Sequence, residues 1–264
     1  MNDTIPKIGC CGWRLTKPRY AEEFPVVEVQ QTFYEPPMIG TLKRWRASVP
    51  ADFEFTLKAW QLITHRSTSP TYRRLKTMLR PDEAADCGSF QSTAIVEQAW
   101  SATRACAEAL GARLVLFQCP ASFTPTLSNL EQMRSFFTRI KRDGLQLLWE
   151  PRGEWPESLI KSLCEELDLI HAVDPMITRT VTPEFIYFRL HGGKDFKGIH
   201  SDTQLRDLKE LVGTDKPAYV MFNNINMLDD ATRFRDLMQP LRFSRNLEFK
   251  WAFDRTGNTR PRPN

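Results

Sequence analysis

The sequence lacks the features that identify several large classes of protein. No apolar run approaches the ~20 residues that a membrane-spanning helix needs. The start of the chain, MNDTIPKIGC, does not have the basic-then-apolar order of a signal peptide, so we expect a cytoplasmic protein without a membrane partner. There is also no Walker loop, G-x-G-x-x-G fingerprint, nucleophile elbow or zincin helix. The sequence therefore carries no motif for a nucleotide cofactor.

The cysteines and histidines do not form the patterns of a transition-metal centre. None of the six cysteines forms a C-x-x-C pair, so disulfides and a cysteine-rich metal site are not expected. Only four histidines are present, which argues against a multinuclear, histidine-rich zinc centre. One of them, His171, opens an apolar stretch and is expected to face away from a site at the stretch's other end. A single Mg²⁺ or Mn²⁺ ion held by carboxylates remains an open alternative.

The composition is that of an ordinary globular protein, with 41% hydrophobic and 26% charged residues among 264. Its net charge of +4 permits an anionic small molecule or nucleic acid as a partner but does not require one. Lysine and arginine outnumber acids eight to three between residues 231 and 264. The last residues are polar and proline-containing, so we predict one domain over residues 1–253 and a flexible basic tail over 254–264.

Eight short stretches are rich in β-branched and aromatic residues, and several end in a polar group. Their near-continuous apolar character predicts strands covered on both faces, as in a parallel sheet. They are KIGCCGW from Lys7, VVEVQQTFY from Val26, EFTLKA from Glu54, RLVLFQCP from Arg113, QLLWEPR from Gln146, IHAVDP from Ile170, IYFRLHG from Ile186 and AYVMFNN from Ala218.

Segments with the apolar spacing of helices separate these strands. Capping boxes predict that one helix opens at Ser128 with Glu131, and another at Ser201 with Gln204. Strands alternating with helices imply right-handed crossovers, and eight such units predict a single α/β domain with a (β/α)8, TIM-barrel-like fold. An open doubly wound sheet is the alternative, but its glycine fingerprint is missing after the first strand. The insertion after the third strand, from Trp60 to Ala112, is longer than one βα unit needs and predicts a lid or binding element.

A functional site is predicted at the carboxyl ends of the strands, where parallel barrels bind their ligands. Side chains two positions apart share a strand face, so Glu150 lies with Arg152, and Arg189 with His191. Buried charges must pair with each other or with a ligand, so we expect them to converge on one pocket. The alternative is an ion-pair network that only stabilises the barrel mouth. The candidates are Glu28, Lys58, Gln118, Glu150, Arg152, Asp174, Arg189, His191, Asn223 and Asn224, with Trp13 and Tyr34 as aromatic neighbours.

These residue types suggest chemistry on an anionic substrate. Three cations suit a phosphate or carboxylate group: Lys58, Arg152 and Arg189. Four groups could transfer protons: Glu28, Glu150, Asp174 and His191. If a divalent cation is bound, its predicted ligands are Glu150, Asp174 and His191. As a further alternative, Lys58 could form a Schiff base with a carbonyl substrate.

Nine short motifs together resemble the YecE-like family, which is also called domain of unknown function 72. The motifs occur in the family's order, and the match as a whole runs from Gly9 to about Leu237, so the resemblance covers most of the chain. They are G-x-x-G-W at Gly9, E-x-x-x-T-F-Y at Glu28, F-x-F-x-x-K at Phe53, T-H at Thr64, F-Q-x-P at Phe117, E-x-R-x-x-W at Glu150, D at Asp174, R-L-H-G at Arg189 and F-N-N at Phe222.

This resemblance implies a TIM-barrel-like fold and adds His65 to the candidate substrate-binding residues. The chain departs from the family at Gln30, where the family usually has Asn, and around Phe234 and Arg235, where it has Asn-Ala. The first change could alter ligand contacts. The family has no settled activity, and its fold is similar to endonuclease-IV-type and xylose-isomerase-type barrels, which is an analogy of fold only.

The leading hypothesis is an enzyme acting on a phosphate-bearing substrate, including hydrolysis of nucleic-acid phosphodiesters. One alternative is a sugar or sugar-phosphate isomerase or lyase. The other is a non-catalytic protein that binds nucleic acid through its basic tail and its insertion. In the enzymatic readings the catalytic candidates are Glu28, Lys58, Glu150, Asp174 and His191, and the substrate-binding candidates are Arg152, Arg189, Asn223, Asn224, Tyr34, Gln118, His65 and Trp13.

Overall fold

Eight parallel strands close into a barrel in the computed structural model, which describes residues 5–193 and 196–239. The strands are β1 Lys7–Cys11, β2 Val26–Val29, β3 Glu54–Lys58, β4 Leu114–Gln118, β5 Gln146–Glu150, β6 Ile170–Val173, β7 Ile186–Leu190 and β8 Ala218–Phe222. Each strand pairs with its neighbours in chain order, and β1 closes the ring by pairing with β8. All eight predicted strands are present, and the predicted TIM-barrel-like fold is confirmed.

Helices cover the outside of the barrel and connect most of the strands. They are α1 Lys17–Glu23, α2 Gln31–Tyr34, α3 Ile39–Ala47, α4 Gln61–Thr64, a 3-10 helix Pro70–Arg74, α5 Pro81–Ala85, α6 Ala94–Leu110, α7 Leu127–Arg139, α8 Glu157–Leu167, α9 Asp202–Val212 and α10 Met227–Met238. Between β6 and β7 the described chain from Asp174 to Phe185 forms turns instead of a helix. Two prolines and a mostly β-branched run, Ile177 to Thr182, explain this, because both disfavour helix.

One of the two predicted helix starts is confirmed and the other is wrong. The Ser201–Gln204 capping box opens α9, with each side chain accepting from the other residue's backbone N–H. In α7 the N-cap is Thr126, whose hydroxyl accepts from the backbone N–H of Asn129. Ser128 therefore lies inside the first turn. The predicted box failed because Thr126 offers an equivalent cap two residues earlier.

The apolar core has two layers, one inside the barrel and one between the strands and the helices. The inner layer is small and includes Leu116, Leu148, Tyr187 and Met221. The outer layer contains most of the buried aromatic side chains. All six cysteines are buried free thiols, and each packs as a small hydrophobic residue. Polar and charged side chains, including the buried Glu28, Lys58 and Arg189, lie above this inner layer at the carboxyl end of the barrel.

The insertion after β3 folds back onto that end of the barrel. Its glycine Gly88 donates a backbone hydrogen bond to the Leu62 carbonyl at 2.8 Å, and Phe90 donates one to the Ile63 carbonyl at 2.9 Å. The Tyr72 hydroxyl donates to the His65 carbonyl at 2.8 Å. A side chain at Gly88 would overlap the backbone of His65, with its Cβ 2.4 Å from the carbonyl carbon. The insertion thus fixes the loop that carries His65.

None of the described helices is both long and apolar enough to cross a bilayer. The predicted basic tail, 254–264, and most of the basic surplus lie beyond residue 239 and so outside the described residues. The boundary at residue 253 stays a prediction.

Candidate functional site

A network of charged side chains fills the carboxyl end of the barrel, with Arg189 at its centre. Its Nε and Nη2 donate to the two carboxylate oxygens of Glu28 at 3.0 and 2.8 Å. Its Nη1 donates to Glu150. Arg189 and Glu28 are fully buried, and Glu150 is only 4% exposed. The structure therefore brings these three predicted residues together at the carboxyl end of the barrel.

Both carboxylates in this network are held in their ionised form. Burial alone would raise the pKa of Glu28, but the adjacent Arg189 guanidinium outweighs burial and the pKa is lowered. For Glu150 burial is likewise opposed, by Arg189 and Arg152, and its pKa falls to about 2. Glu28 also accepts from the Tyr187 hydroxyl at 2.8 Å and from the Gln30 amide. Carboxylates with both oxygens engaged by cations are poor general bases.

His191 lies between Arg152 and Asp174, which occupy its two ring nitrogens. Nδ1 is 3.2 Å from Asp174 Oδ2, and Nε2 is 2.6 Å from Arg152 Nη2. Because a guanidinium can only donate, Nε2 must be the acceptor and Nδ1 must carry the proton. Burial lowers the pKa of His191 below its ordinary value, even though Asp174 favours the protonated ring. His191 is thus a neutral ring whose basic nitrogen is already occupied.

This arrangement does not fit the predicted metal ligands. Glu150 and Asp174 lie on opposite ring nitrogens of His191, so the three cannot meet at one ion. Glu150 is also surrounded by guanidinium groups, which repel a cation. Across residues 5–193 and 196–239, no group of three or more His, Cys, Asp or Glu side chains is placed to hold a metal ion. The conditional assignment of Glu150, Asp174 and His191 as joint ligands of a divalent cation therefore does not fit the described geometry.

Lys58, at the end of β3, is the buried cation that the carboxylates leave without an ion pair. Its Nζ donates to Gln118 Oε1 at 3.1 Å and lies 3.9 Å from the centre of the Phe33 ring. The nitrogen has no carboxylate oxygen within 4.0 Å among the described residues. Burial, reinforced by Arg189 and only partly opposed by Glu28 and Glu150, lowers the pKa of Lys58 to about 7. A substantial fraction of this amine is neutral near neutral pH.

Lys58 opens into a cavity of about 490 Å³, called here the first cavity. Predicted site residues that line it are Tyr34, Lys58, His65, Gln118, Asn223 and Asn224. Arg14 and Lys197 add two cations, and none of the described residues that line the cavity carries a carboxylate. The cavity is therefore suited to an anionic ligand. Arg14 and Phe196 were missed from the sequence, although Arg14 directly follows the G-x-x-G-W motif.

Two predicted residues serve mainly to shape this cavity. His65 is buried, and burial and the nearby Lys58 lower its pKa to about 3. Its Nδ1 lies 2.8 Å from the Thr64 hydroxyl, so the ring is neutral. The Asn224 amide nitrogen donates to the Gly198 carbonyl at 2.8 Å and to Asp230 at 2.6 Å. Asn224 thus ties the loop after β7 to α10.

A second cavity, of about 750 Å³, lies beside Glu150, Arg152, Asp174 and His191. His171 also lines it, and this corrects the expectation that His171 faces away from the site. Its Nδ1 accepts from the Val181 backbone N–H at 3.3 Å. Because β6 is only four residues long, its first residues are still close to the carboxyl end.

Trp13 is not where the sequence placed it. Its ring packs 5.1 Å from Tyr20 and 6.0 Å from both Phe53 and Phe55, in the layer between strands and helices. It lines neither cavity. These contacts are those of a packed ring and give no support to its predicted role in substrate binding, whereas the adjacent Arg14 lines the first cavity.

Comparison with known proteins agrees with the motifs found in the sequence. Residues 7–251 match the family model described as "Protein of unknown function DUF72". This is the family that the motifs resemble, so that prediction is confirmed. No curated protein matches the sequence.

Solved structures share the architecture. A DUF72 family protein from Enterococcus faecalis V583 has a TM-score of 0.66 and 18% identity, over 90% of this chain and 99% of that chain. One from Thermotoga maritima MSB8 has a TM-score of 0.60 and 20% identity, over 89% and 100%. D-psicose 3-epimerase from Clostridium cellulolyticum H10, with D-tagatose, has a TM-score of 0.57 and 10% identity, over 88% and 98%. At these identities the likenesses show the fold alone.

Proposed function

We propose that this chain, which belongs to the DUF72 family, is an enzyme that acts on a small phosphate-bearing sugar as an isomerase or lyase. The observation that carries the proposal is Lys58: a buried amine, without a carboxylate partner, at the inner end of a cavity with two further cations. The cations suit the phosphate, and the amine suits proton transfer next to a carbonyl group.

The size of the first cavity supports a small substrate. A volume of about 490 Å³ falls within the roughly 300–1,000 Å³ of small-molecule sites. Binding of a polynucleotide would call for an open basic groove. Its hydrolysis would call for catalytic groups that are free to act at a phosphodiester. The carboxylates that could have served hydrolysis are paired with guanidinium groups. We therefore set aside the leading hypothesis of phosphodiester hydrolysis and propose the first alternative, an isomerase or lyase acting on a sugar phosphate.

Each element of the site has a role in this proposal. Arg14 and Lys197 would bind the phosphate at the mouth of the cavity, and Asn223 and Gln118 would bind hydroxyl groups of the sugar. Lys58 would move the proton at the carbon next to the carbonyl. Glu28 and Glu150 would hold Arg189 and Arg152 in place and keep their positive charge close to Lys58. The D-psicose 3-epimerase that shares this fold was solved with D-tagatose, and this supports a sugar substrate by analogy of fold only.

Ligand-induced stabilisation tests the proposal. Melting curves are recorded with three- to six-carbon aldose and ketose phosphates, with the same sugars without phosphate, and with DNA and RNA oligonucleotides. We expect an increase in Tm only with one or more of the sugar phosphates, because binding to the folded state alone stabilises it. The hit is then assayed for turnover.

Two variants test where the phosphate group of the substrate binds. Arg14→Ala removes an exposed cation that has no ion pair or hydrogen bond among the described residues, and it should abolish most of the ligand-induced shift. Lys43→Ala removes the same charge from the exposed face of α3 and should leave the shift unchanged. Equal stabilisation by sugars without phosphate, or stabilisation by oligonucleotides instead, would contradict the proposal.

A further inference from the structure

We infer that Lys58 forms an iminium bond with the carbonyl carbon of the substrate, so that catalysis is covalent. This inference rests on the proposed function, because it takes the same site and the same class of substrate. It adds the reaction type: the substrate must contain an aldehyde or ketone, and its carbon–hydrogen or carbon–carbon bond next to that carbonyl is the bond that breaks.

The first argument is the environment of the amine. Of the lysine and arginine side chains in the described part of the chain, Lys58 and Arg189 are the buried ones. Arg189 is neutralised by two carboxylates in direct contact. Lys58 instead contacts one amide oxygen and one aromatic face. An ammonium so placed has lost its water without gaining a counter-ion, which favours release of its proton and leaves a nucleophilic lone pair.

The second argument is access. The nitrogen of Lys58 lies at the wall of the first cavity and not inside the packed barrel. Arg14 and Lys197 line the same cavity, so a phosphate held by them would keep the rest of a small sugar inside it. Two neutral rings, Phe33 and His65, pack edge to face at 4.9 Å on the Lys58 side. They limit the water that would compete for the carbonyl carbon.

The chemistry balances without any other reactant. The amine nitrogen bonds to the carbonyl carbon while the carbon–oxygen π bond breaks, and the oxygen leaves as water. Written overall, an ammonium and a carbonyl give a protonated iminium and one water, with the charge unchanged. The positive iminium then withdraws the electron pair of the adjacent bond as a proton or a carbonyl fragment leaves. Glu28 and Glu150 face the same charge before and after the step.

Reductive trapping tests this inference directly. The full chain is incubated with dihydroxyacetone phosphate, glyceraldehyde 3-phosphate and the larger ketose and aldose phosphates, with sodium cyanoborohydride present. An iminium is reduced to a stable secondary amine, so the intact mass should increase by that of one sugar phosphate less one oxygen atom. We expect one adduct per chain, located at Lys58 by peptide mapping, and much less with the phosphate-free sugars.

Two variants and a pH series keep the result decisive. Lys58→Arg keeps a cation that cannot form an iminium, and adduct formation should fall at least about tenfold. Lys58→Met serves if the arginine variant does not fold. Lys43→Arg, on α3, should trap as the natural chain does. In the unchanged chain, the trapping rate should increase with pH through the region near 7, where Lys58 loses its proton.

The outcomes separate the two proposals. If sugar phosphates stabilise the protein but no adduct forms at Lys58, the covalent step is wrong and the proposed function stands. If neither stabilisation nor trapping is seen, the proposed function fails together with the covalent step. Adducts spread over surface lysines and equally abundant in Lys58→Arg would also overturn the inference, since they report only non-specific reaction with amines.

Discussion

Replacing Lys58 by methionine should stabilise the protein, and the gain should shrink as the pH rises. Burial and the neighbouring Arg189 lower the pKa of Lys58 from 10.5 to about 7. Below pH 7 the amine is protonated in both the folded and the unfolded chain, so its full desolvation penalty opposes folding. Between pH 7 and 10.5 the folded chain releases the proton first. The unfolded chain then binds more protons, and stability rises with pH.

The magnitude follows from the size of the shift. One pKa unit corresponds to about 1.4 kcal/mol, so the shift of Lys58 corresponds to a penalty on the order of 5 kcal/mol at low pH. Between pH 7 and pH 9 about 2 kcal/mol of this penalty should disappear. Methionine fills a similar volume without a charge, but it loses the contacts with Gln118 and the Phe33 ring. The change of the stability difference with pH therefore reports the pKa shift of Lys58 more directly than the absolute gain in stability does.

The assay is urea denaturation of the natural chain and of Lys58→Met at pH 7, 8 and 9. Cysteine thiols also titrate in this range in the unfolded chain, but they are common to both proteins and cancel in the difference. The titratable neighbours of Lys58 with shifted pKa values, which are Glu28, Glu150, Arg189 and His65, do not change protonation between these pH values. A difference in unfolding free energy that stays constant from pH 7 to pH 9 would refute the argument, because Lys58 would then keep its proton throughout.

Three further changes test the network, the caps and the barrel. Arg189→Met should destabilise by roughly 3–5 kcal/mol in urea, because it removes the ion-pair partner of the buried Glu28 and one of the two guanidinium partners of Glu150. Arg206→Met, on the exposed face of α9, should change stability by less than about 0.5 kcal/mol. Thr126→Ala should lower the free energy of unfolding by about 1 kcal/mol, whereas Ser128→Ala should leave it nearly unchanged. The reverse order would show that Ser128, and not Thr126, caps the helix. Gly9→Ala should destabilise by more than about 2 kcal/mol, because its Cβ would lie 2.1 Å from the Val26 carbonyl oxygen. Gly40→Ala, whose Cβ would meet nothing closer than 3.7 Å, should leave stability unchanged or increase it. Urea denaturation of both glycine variants measures the difference.

The barrel could be predicted from the sequence because parallel strands buried on both faces have a simple pattern. Stretches such as LVLFQ and IYFRL are apolar almost without interruption, and each ends where a polar residue begins. The same regularity located the site, since Glu28, Glu150 and Arg189 all stand near the carboxyl ends of their strands. Here local patterns and the global fold agree, which is what makes such a prediction possible.

The pairing within the site could not be predicted in the same way. Glu28 and Arg189 are 161 positions apart and meet across the barrel, so their contact depends on the closure of all eight strands. Trp13 was misplaced because aromatic residues near a strand end pack outward as readily as inward. His171 was misplaced because β6 is shorter than the stretch that predicted it. The segment between β6 and β7 forms turns, and its sequence has no apolar spacing from which a helix could have been predicted.

Stability and function separate within this one network. The pairing of Arg189 with Glu28 and Glu150 accounts for those three residues, since charges buried together can satisfy each other's hydrogen bonds. It does not account for Lys58, which adds a buried positive charge beside Arg189 and receives only an amide oxygen and a ring in return. An apolar side chain would fill that position at lower cost to the fold. Local violations of this kind concentrate at functional sites, so within the described cluster the residue least explained by folding is the one to which we assign the chemistry.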